Sequence, residues 1–477
     1  MIALLIASQA FALDAASLRS TATYDLYRDP YDFFNQPGVL AVEQERGVLT
    51  GLDLYGGPGR YTIGYYGSLG KGVLGAAFDF GQSTSYSDSK DTYSFDGDDT
   101  ITFGDAEGGG AAWNAHLTYG LSLSENMAAG VAVWVNQAGA KFSFDPQRGA
   151  VGGTRTDVDY PDGDDSSSFG LATYTSRSVV VLAGGAIFSD KGYISMNAGV
   201  RSVLDRASVD AIYEYGDTTI KYSGFVPGTS FGDDRKGLGA IASLEAVQAL
   251  NDDMDLRLSF GLGYLPGKVA LTESTVVQED DASNTTLTDV SSWEDAKWRN
   301  TQAGVLAALH IENDDLTVRP GLRIGYTGYA EAYKPTTSFD YDYDGSDYDV
   351  DGSSQYDYSS TLVGLEVGLP LAVEVPLGQK DIWTLRMATD WSWSRVKSTT
   401  ETFYNDEDND VSEKLQTTDA SSSSAASGSF GLCYWPVERF RMDAAIFGGT
   451  SFDGSDATMA DTFGLSAVSV SATLLLP

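Results

Sequence analysis

Cysteine is almost missing from this chain: Cys433 is the single copy in 477 residues. One thiol closes no internal disulfide, and among Phe430, Leu432 and Tyr434 it reads as a small apolar residue of a strand. Histidine is nearly as scarce. His116 and His310 are the two copies, and neither stands at ligand spacing from a Cys, Asp or Glu, so no metal or proton-transfer site is expected there. Basic residues number 30 against 67 acidic ones, a formal net charge of −37. Phosphate backbones are bound by basic patches, so nucleic acid is excluded as a partner. No stretch holds eighteen consecutive apolar residues, which excludes a transmembrane helix. Nucleophile motifs, phosphate loops and zinc patterns are all missing; an enzyme is not expected and no cofactor is required.

What the chain has is alternation. From Ile382 to Arg395, residues Trp383, Leu385, Met387, Trp391 and Trp393 fall on one side, and Thr384, Arg386, Ala388, Asp390 and Ser392 on the other. A period of two is a strand, because successive side chains point to opposite faces. An aromatic face backed by a charged one suits an outer-membrane barrel, whose apolar side meets lipid and whose polar side meets a lumen. With Gly 53, Tyr 27 and only 20% charged residues, the composition agrees: Tyr and Trp favour the membrane interface, where an amphipathic ring sits half wet.

Turn chemistry divides these runs. Short turns are expected at 69–72, 124–127, 189–192, 251–253, 312–315, 378–381 and 435–438, where Gly, Asn, Asp or Pro supply special backbone angles or local hydrogen bonds. Long acidic connections are expected at 85–110, 145–167, 205–236, 273–297, 336–357 and 399–427. Short turns alternating with long loops mark a periplasmic and an outer end. The expected fold is therefore all-β: a transmembrane antiparallel β-barrel of about 14–16 strands, with both chain ends periplasmic. Residues 1–12, an apolar core followed by Ala10-Phe11-Ala12, read as the remnant of a signal peptide. Residues 13–46 do not alternate and are rich in aromatics (Tyr24, Tyr27, Tyr31, Phe33, Phe34), which points to a hatch segment inside the lumen. Residues 47–477 form the barrel.

Parity sorts the charges. Arg257, Arg319, Arg323, Glu366, Arg386 and Asp390 all fall opposite the bulky apolar set and are assigned to the lumen. A charge on the lipid face near the midplane costs roughly 2–4 kcal/mol. Inward placement leaves them to pair with one another, tying the wall, or to line water. In the loops, Asp340, Asp342 and Asp344, followed by Gly345 and a twelfth-position Asp351, have the spacing of a Ca2+ loop. An Asp/Tyr run of this kind also serves to solvate an exposed loop. A looser role is recruitment of divalent cations that bridge the loops to outer-membrane lipids and lipopolysaccharide.

The segment Asp29-Pro30-Tyr31-Asp32-Phe33-Phe34-Asn35-Gln36-Pro37-Gly38-Val39-Leu40-Ala41 resembles the lumenal motif that precedes strand one in FadL-type outer-membrane transport barrels, including their PorV-like branch. Asp29, Asp32, Asn35, Pro37 and Gly38 carry the likeness; Gln36-Pro37-Gly38 stands where that family has Pro-Ala-Gly. Residues 47–55, 60–69 and 72–80 look like the family's first three strands. The resemblance implies passive transport of small hydrophobic molecules across the bacterial cell outer membrane. Composition by itself equally suits a general porin for hydrophilic solutes, or a non-transporting surface scaffold or adhesin; it does not address oligomeric state.

Overall fold

A computed structural model of the chain describes residues 32–42, 46–53, 59–87, 91–94, 100–103, 106–144, 156–159, 165–215, 218–224, 234–279, 286–313, 316–333, 335–343, 346–350, 355–378, 382–406, 411–437, 439–453 and 464–476. Among these, sixteen antiparallel strands close into one barrel. In chain order they are β1 Arg46–Asp53, β2 Gly59–Leu69, β3 Gly72–Ser87, β4 Ala106–Ser124, β5 Met127–Phe144 and β6 Asp165–Ser189. There follow β7 Gly192–Tyr215, β8 Asp234–Asn251, β9 Met254–Glu279, β10 Thr286–Asn313 and β11 Leu316–Tyr333. The circuit ends with β12 Gln355–Leu377, β13 Trp383–Asp406, β14 Val411–Val437, β15 Phe440–Asp453 and β16 Gly464–Leu476. Each strand pairs with its neighbour in sequence. Closure comes from β1 against β16, with Val48 opposite Leu474 and Leu52 opposite Val470. A closed sheet leaves no row of unpaired backbone groups, which is what hydrocarbon requires of a spanning structure.

The two ends of the barrel differ. At one end the strands meet in two-residue turns, as at Glu125-Asn126, Asp190-Lys191 and Asp252-Asp253. Gly70 (φ 64°), in one such turn, and Gly378 (φ 92°), just after β12, adopt left-handed backbone, a conformation a β-carbon would penalise. The turn expected at 435–438 does not begin before Val437, which still pairs with Phe440; Pro436 stays inside the strand rather than breaking it. At the other end several connections hold further hairpins. Asp91–Ser94 pairs with Thr100–Phe103, Thr218–Gly224 folds back antiparallel on the end of β7, and Pro335–Tyr343 pairs with Ser346–Val350.

The long connections are shorter than composition implies, because the strands run on into them. Thr399–Ser427, expected as loop, is paired strand from Thr399 opposite Thr418 up to Asp406 opposite Val411. β10 has 28 residues, whereas crossing a bilayer takes about 9–11. Beyond the membrane both faces of a hairpin meet water, so apolar alternation disappears from the sequence while backbone pairing persists.

Alternation within the barrel is real. Ile63, Leu117, Val131, Met196, Phe260 and Trp391 are exposed on the outer face, whereas Thr62, Thr118, Asn197, Glu245, Asp390 and Asp443 are buried on the inner one. The polar residues are the enclosed ones, the inverse of a soluble protein and the pattern of a lipid-facing barrel.

Candidate lumenal site

Residues 32–42, the described part of the segment expected as a hatch, sit against the inner wall at the short-turn end. Asp32–Asn35 forms one 3-10 turn, and Pro37–Leu40 one helical turn whose four residues are buried. Pro37 opens it naturally, since its fixed φ suits a helix start and its missing N–H is not needed there. The wall is shaped to receive it. A β-carbon on Gly75 of β3 would fall 2.5 Å from the Phe34 ring, and one on Gly120 of β4 would collide with the Pro37 carbonyl oxygen. Conversely, a β-carbon on Gly38 would fall 2.7 Å from the Ala186 nitrogen of β6. Thr118 Oγ1 donates to the Phe34 carbonyl at 2.7 Å, and Ser122 Oγ to the Ala41 carbonyl at 3.2 Å. Phe34 and Leu40 complete a buried cluster with Leu49, Tyr66 and Val73.

Of the motif residues, Pro37 and Gly38 therefore make the seat. Asn35 lies half-buried beside them, and Asp32 opens the 3-10 turn. Asp29 lies outside the described residues, as do 1–31 and 43–45. Gln36, which departs from the family pattern, is the residue that latches the segment across the lumen. Its Nε2 donates to Glu245 Oε2 of β8 at 3.0 Å. Glu245 also accepts from Tyr193 Oη at 2.5 Å and from Arg257 Nη2 at 2.7 Å, so a buried carboxylate is satisfied from three elements at once. Charge-assisted bonds of this kind are the strong ones.

On the wall formed by β11 to β15 the inward charges make a continuous ladder. Arg319 Nη1 lies 2.8 Å from Glu374, Glu374 lies 2.6 Å from Arg386 Nε, Arg386 Nη1 lies 3.2 Å from Asp443, and Asp443 lies 2.6 Å from Arg441 Nε. One step higher, Arg323 Nη2 lies 2.6 Å from Glu366 and 2.9 Å from Asp390. Four strands, β11, β12, β13 and β15, thus contribute alternating charges to one network. Arg319, Arg323, Glu366, Arg386 and Asp390 all belong to these pairs and Arg257 to the Glu245 latch, but sequence reading missed Glu245, Glu374, Asp443 and Arg441. Glu374 could have been found by carrying the even-numbered series of Glu366 four steps further, just past Val373. Nothing local marks Glu245 or Asp443.

The opposite wall carries two apolar clusters, with inward-facing Arg201, bonded to Ser178 at 3.2 Å, between them. Trp134, Val180, Leu182 and Ile241 cluster on β5, β6 and β8. Above them Val203, Leu265, Val269, Ala296 and Trp298 form a second cluster, with Tyr329 packed against it. Leu182 stands opposite Gly199, and Val203 lies four residues farther toward the long-loop end. The upper cluster ends in a polar triad. Arg235 Nη1 donates to Tyr329 Oη at 2.9 Å, Tyr329 Oη donates to Glu331 at 2.6 Å, and Arg235 Nη2 lies 3.4 Å from Glu331.

Both histidines face inward. His116 stacks on Trp134, with ring centroids 6.0 Å apart. His310 is not isolated as its spacing implies: strand register sets it opposite Asp255. Its Nδ1 lies 3.6 Å from Asp255 and its Nε2 3.4 Å from Glu312. Among the described residues no group of three or more His, Cys, Asp or Glu is placed to hold a metal ion. Asp340 and Asp342 lie in the loop strand Pro335–Tyr343, opposite Asp349 and Asp347; Asp344 and Asp351 lie outside the described residues. Cys433 is fully buried and opposite Asp443.

No family model matches the chain, and no curated protein matches it. Solved structures do. It is similar to the TodX deltaS2S3 mutant monoaromatic hydrocarbon channel, at 11% identity over 94% of either chain and a TM-score of 0.42. It is also similar to the Pseudomonas putida toluene transporter TodX, at 12% identity over 96% of this chain and 95% of that one, TM-score 0.37. The CymD monoaromatic hydrocarbon channel follows at 10% identity, 96% and 94% coverage, and 0.35. Likeness at this level says nothing of cargo, and the fold itself rests on the strand register above.

Proposed function

We propose that this protein is a passive outer-membrane conduit for small apolar molecules and not an enzyme. The observation that supports it is the two apolar clusters on the inner wall, Trp134 and Leu182 below and Val203, Leu265 and Trp298 above, with Arg201 held against Ser178 between them. A pore for ions or strongly hydrated solutes gains little from branched aliphatic side chains on its lumen, since these shed water and offer a polar solute no hydrogen bond. They do lower the free energy of an apolar solute, by about 25 cal/mol per Å2 of its surface removed from water. The hatch closes the short-turn end, which opposes free diffusion of hydrophilic solutes. The ladder on the far wall is internally neutralised and holds the barrel's shape.

The test is reconstitution of the purified barrel, with sugar permeation followed by liposome swelling and apolar-ligand binding by quenching of tryptophan fluorescence. Saturable binding with little sugar flux is expected. Sugar flux without binding would establish a general porin, and neither activity would establish a surface scaffold or adhesin.

A further inference from the structure

Six of the 30 basic residues share one outward-facing region. Arg177 on β6, Arg206 on β7, Lys236 on β8, Lys268 on β9, and Lys297 and Arg299 on β10 are all exposed, and all have the parity of the lipid-facing side chains. Register links them. Arg177 stands opposite Leu204, Leu204 opposite Lys236, Lys236 opposite Lys268, and Lys268 opposite Lys297. Arg206 is two residues beyond Leu204, on the same face.

Their position along the strand is equally telling. On β9 the outward series reads Leu258, Phe260, Leu262, Tyr264, all exposed, then Pro266 and Lys268. The apolar band ends in an interfacial tyrosine, and the cations begin one step above it, at the long-loop end. In a chain with a net charge of −37, this is a local reversal of sign. A polyanion laid along the row meets several of these cations at once. Adjacent strands lie about 4.8 Å apart, so Lys236 to Lys297, two strands away, spans about 10 Å. That is the scale of a disaccharide carrying a phosphate at each end.

We propose that the outward row Arg177, Arg206, Lys236, Lys268, Lys297 and Arg299 is a binding site for the phosphorylated glycolipid of the outer leaflet. The inference rests on the chain's being an outer-membrane barrel with its long loops outside. The apolar strip below the row receives the acyl chains, while the ammonium and guanidinium groups take the phosphates. Lysine serves as a point charge and arginine as a two-pronged donor. This contact is direct and needs no divalent bridge from the acidic loops.

The protein is purified from outer membranes in mild detergent, and the glycolipid it retains is quantified by mass spectrometry. A variant carrying Lys236→Gln, Lys268→Gln and Lys297→Gln is treated identically, with heat-modified gel mobility showing that it folds. Retention is expected to fall at least tenfold, given roughly fivefold per cation removed. Should the variant fail to fold, native mass spectrometry of the unaltered protein decides the matter. Bisphosphorylated lipid A is then expected to bind several-fold more tightly than its dephosphorylated form, and phosphatidylglycerol is expected not to displace it. Equal retention by a folded variant, no preference for the phosphorylated form, or displacement by equimolar phosphatidylglycerol would each overturn the proposal.

Discussion

Glu374 shows what a single residue does inside this lumen. It bridges Arg319 and Arg386, at 2.8 and 2.6 Å, with side chains that are 14–16% exposed. Removing one partner from an enclosed ion pair leaves an uncompensated charge, which costs more than the pair itself was worth. Glu374→Gln is expected to lower stability by about 3 kcal/mol, read as a fall in the urea midpoint of the barrel in lipid vesicles. Glu312→Gln, at an exposed carboxylate near the same end, is expected to change stability by less than about 0.5 kcal/mol. Equal midpoints for Glu374→Gln and the unaltered protein would show that water in the lumen already screens the ladder. Glu331 makes a different point. It neutralises Arg235 beside the upper apolar cluster, so the polar end of the proposed path carries no net charge. Glu331→Gln is expected to raise the affinity for decanoate relative to decanol by about tenfold or more, measured by tryptophan quenching in nanodiscs. An unchanged ratio would remove the triad from the path.

At the scale of elements, the hatch depends on small residues in the wall rather than on its own helicity. One turn of helix from Pro37 to Leu40 has no independent stability; it persists because Gly75 and Gly120 let it approach and because Glu245 holds Gln36. Gly120→Val leaves the strand intact, since valine favours strands, but fills the space of the Pro37 carbonyl. Single-channel conductance is expected to rise in that variant while heat-modified mobility on gels is retained. Conductance that stays at the unaltered level would mean that the described turn is not what closes the lumen. The N-terminal motif was legible because it fails to alternate where everything after it does. Its partner Glu245 was not, because 209 residues separate it from Gln36 and no local pattern distinguishes it from a solvated glutamate.

For the whole molecule, orientation follows from the two unlike ends. Protease added to intact cells is expected to cut within the hairpin of Pro335–Tyr343 and Ser346–Val350 and to spare the turn between Ser124 and Met127; the reverse pattern would invert the topology. The alternation of large apolar with polar or small residues was enough to establish strands, an outward lipid face and an inward polar one, because the pleat sends successive side chains to opposite sides whatever the neighbours are. Glycine and asparagine in short clusters likewise placed most of the tight turns, since those residues relieve local backbone strain wherever they stand. Strand number, the length of the hairpins beyond the membrane and the identity of each charge's partner were settled only by tertiary structure. Pairing register sets Glu374 against Arg386, His310 against Asp255 and Lys236 against Lys268, and register is a property of two strands and the closed barrel, which no single run of residues contains.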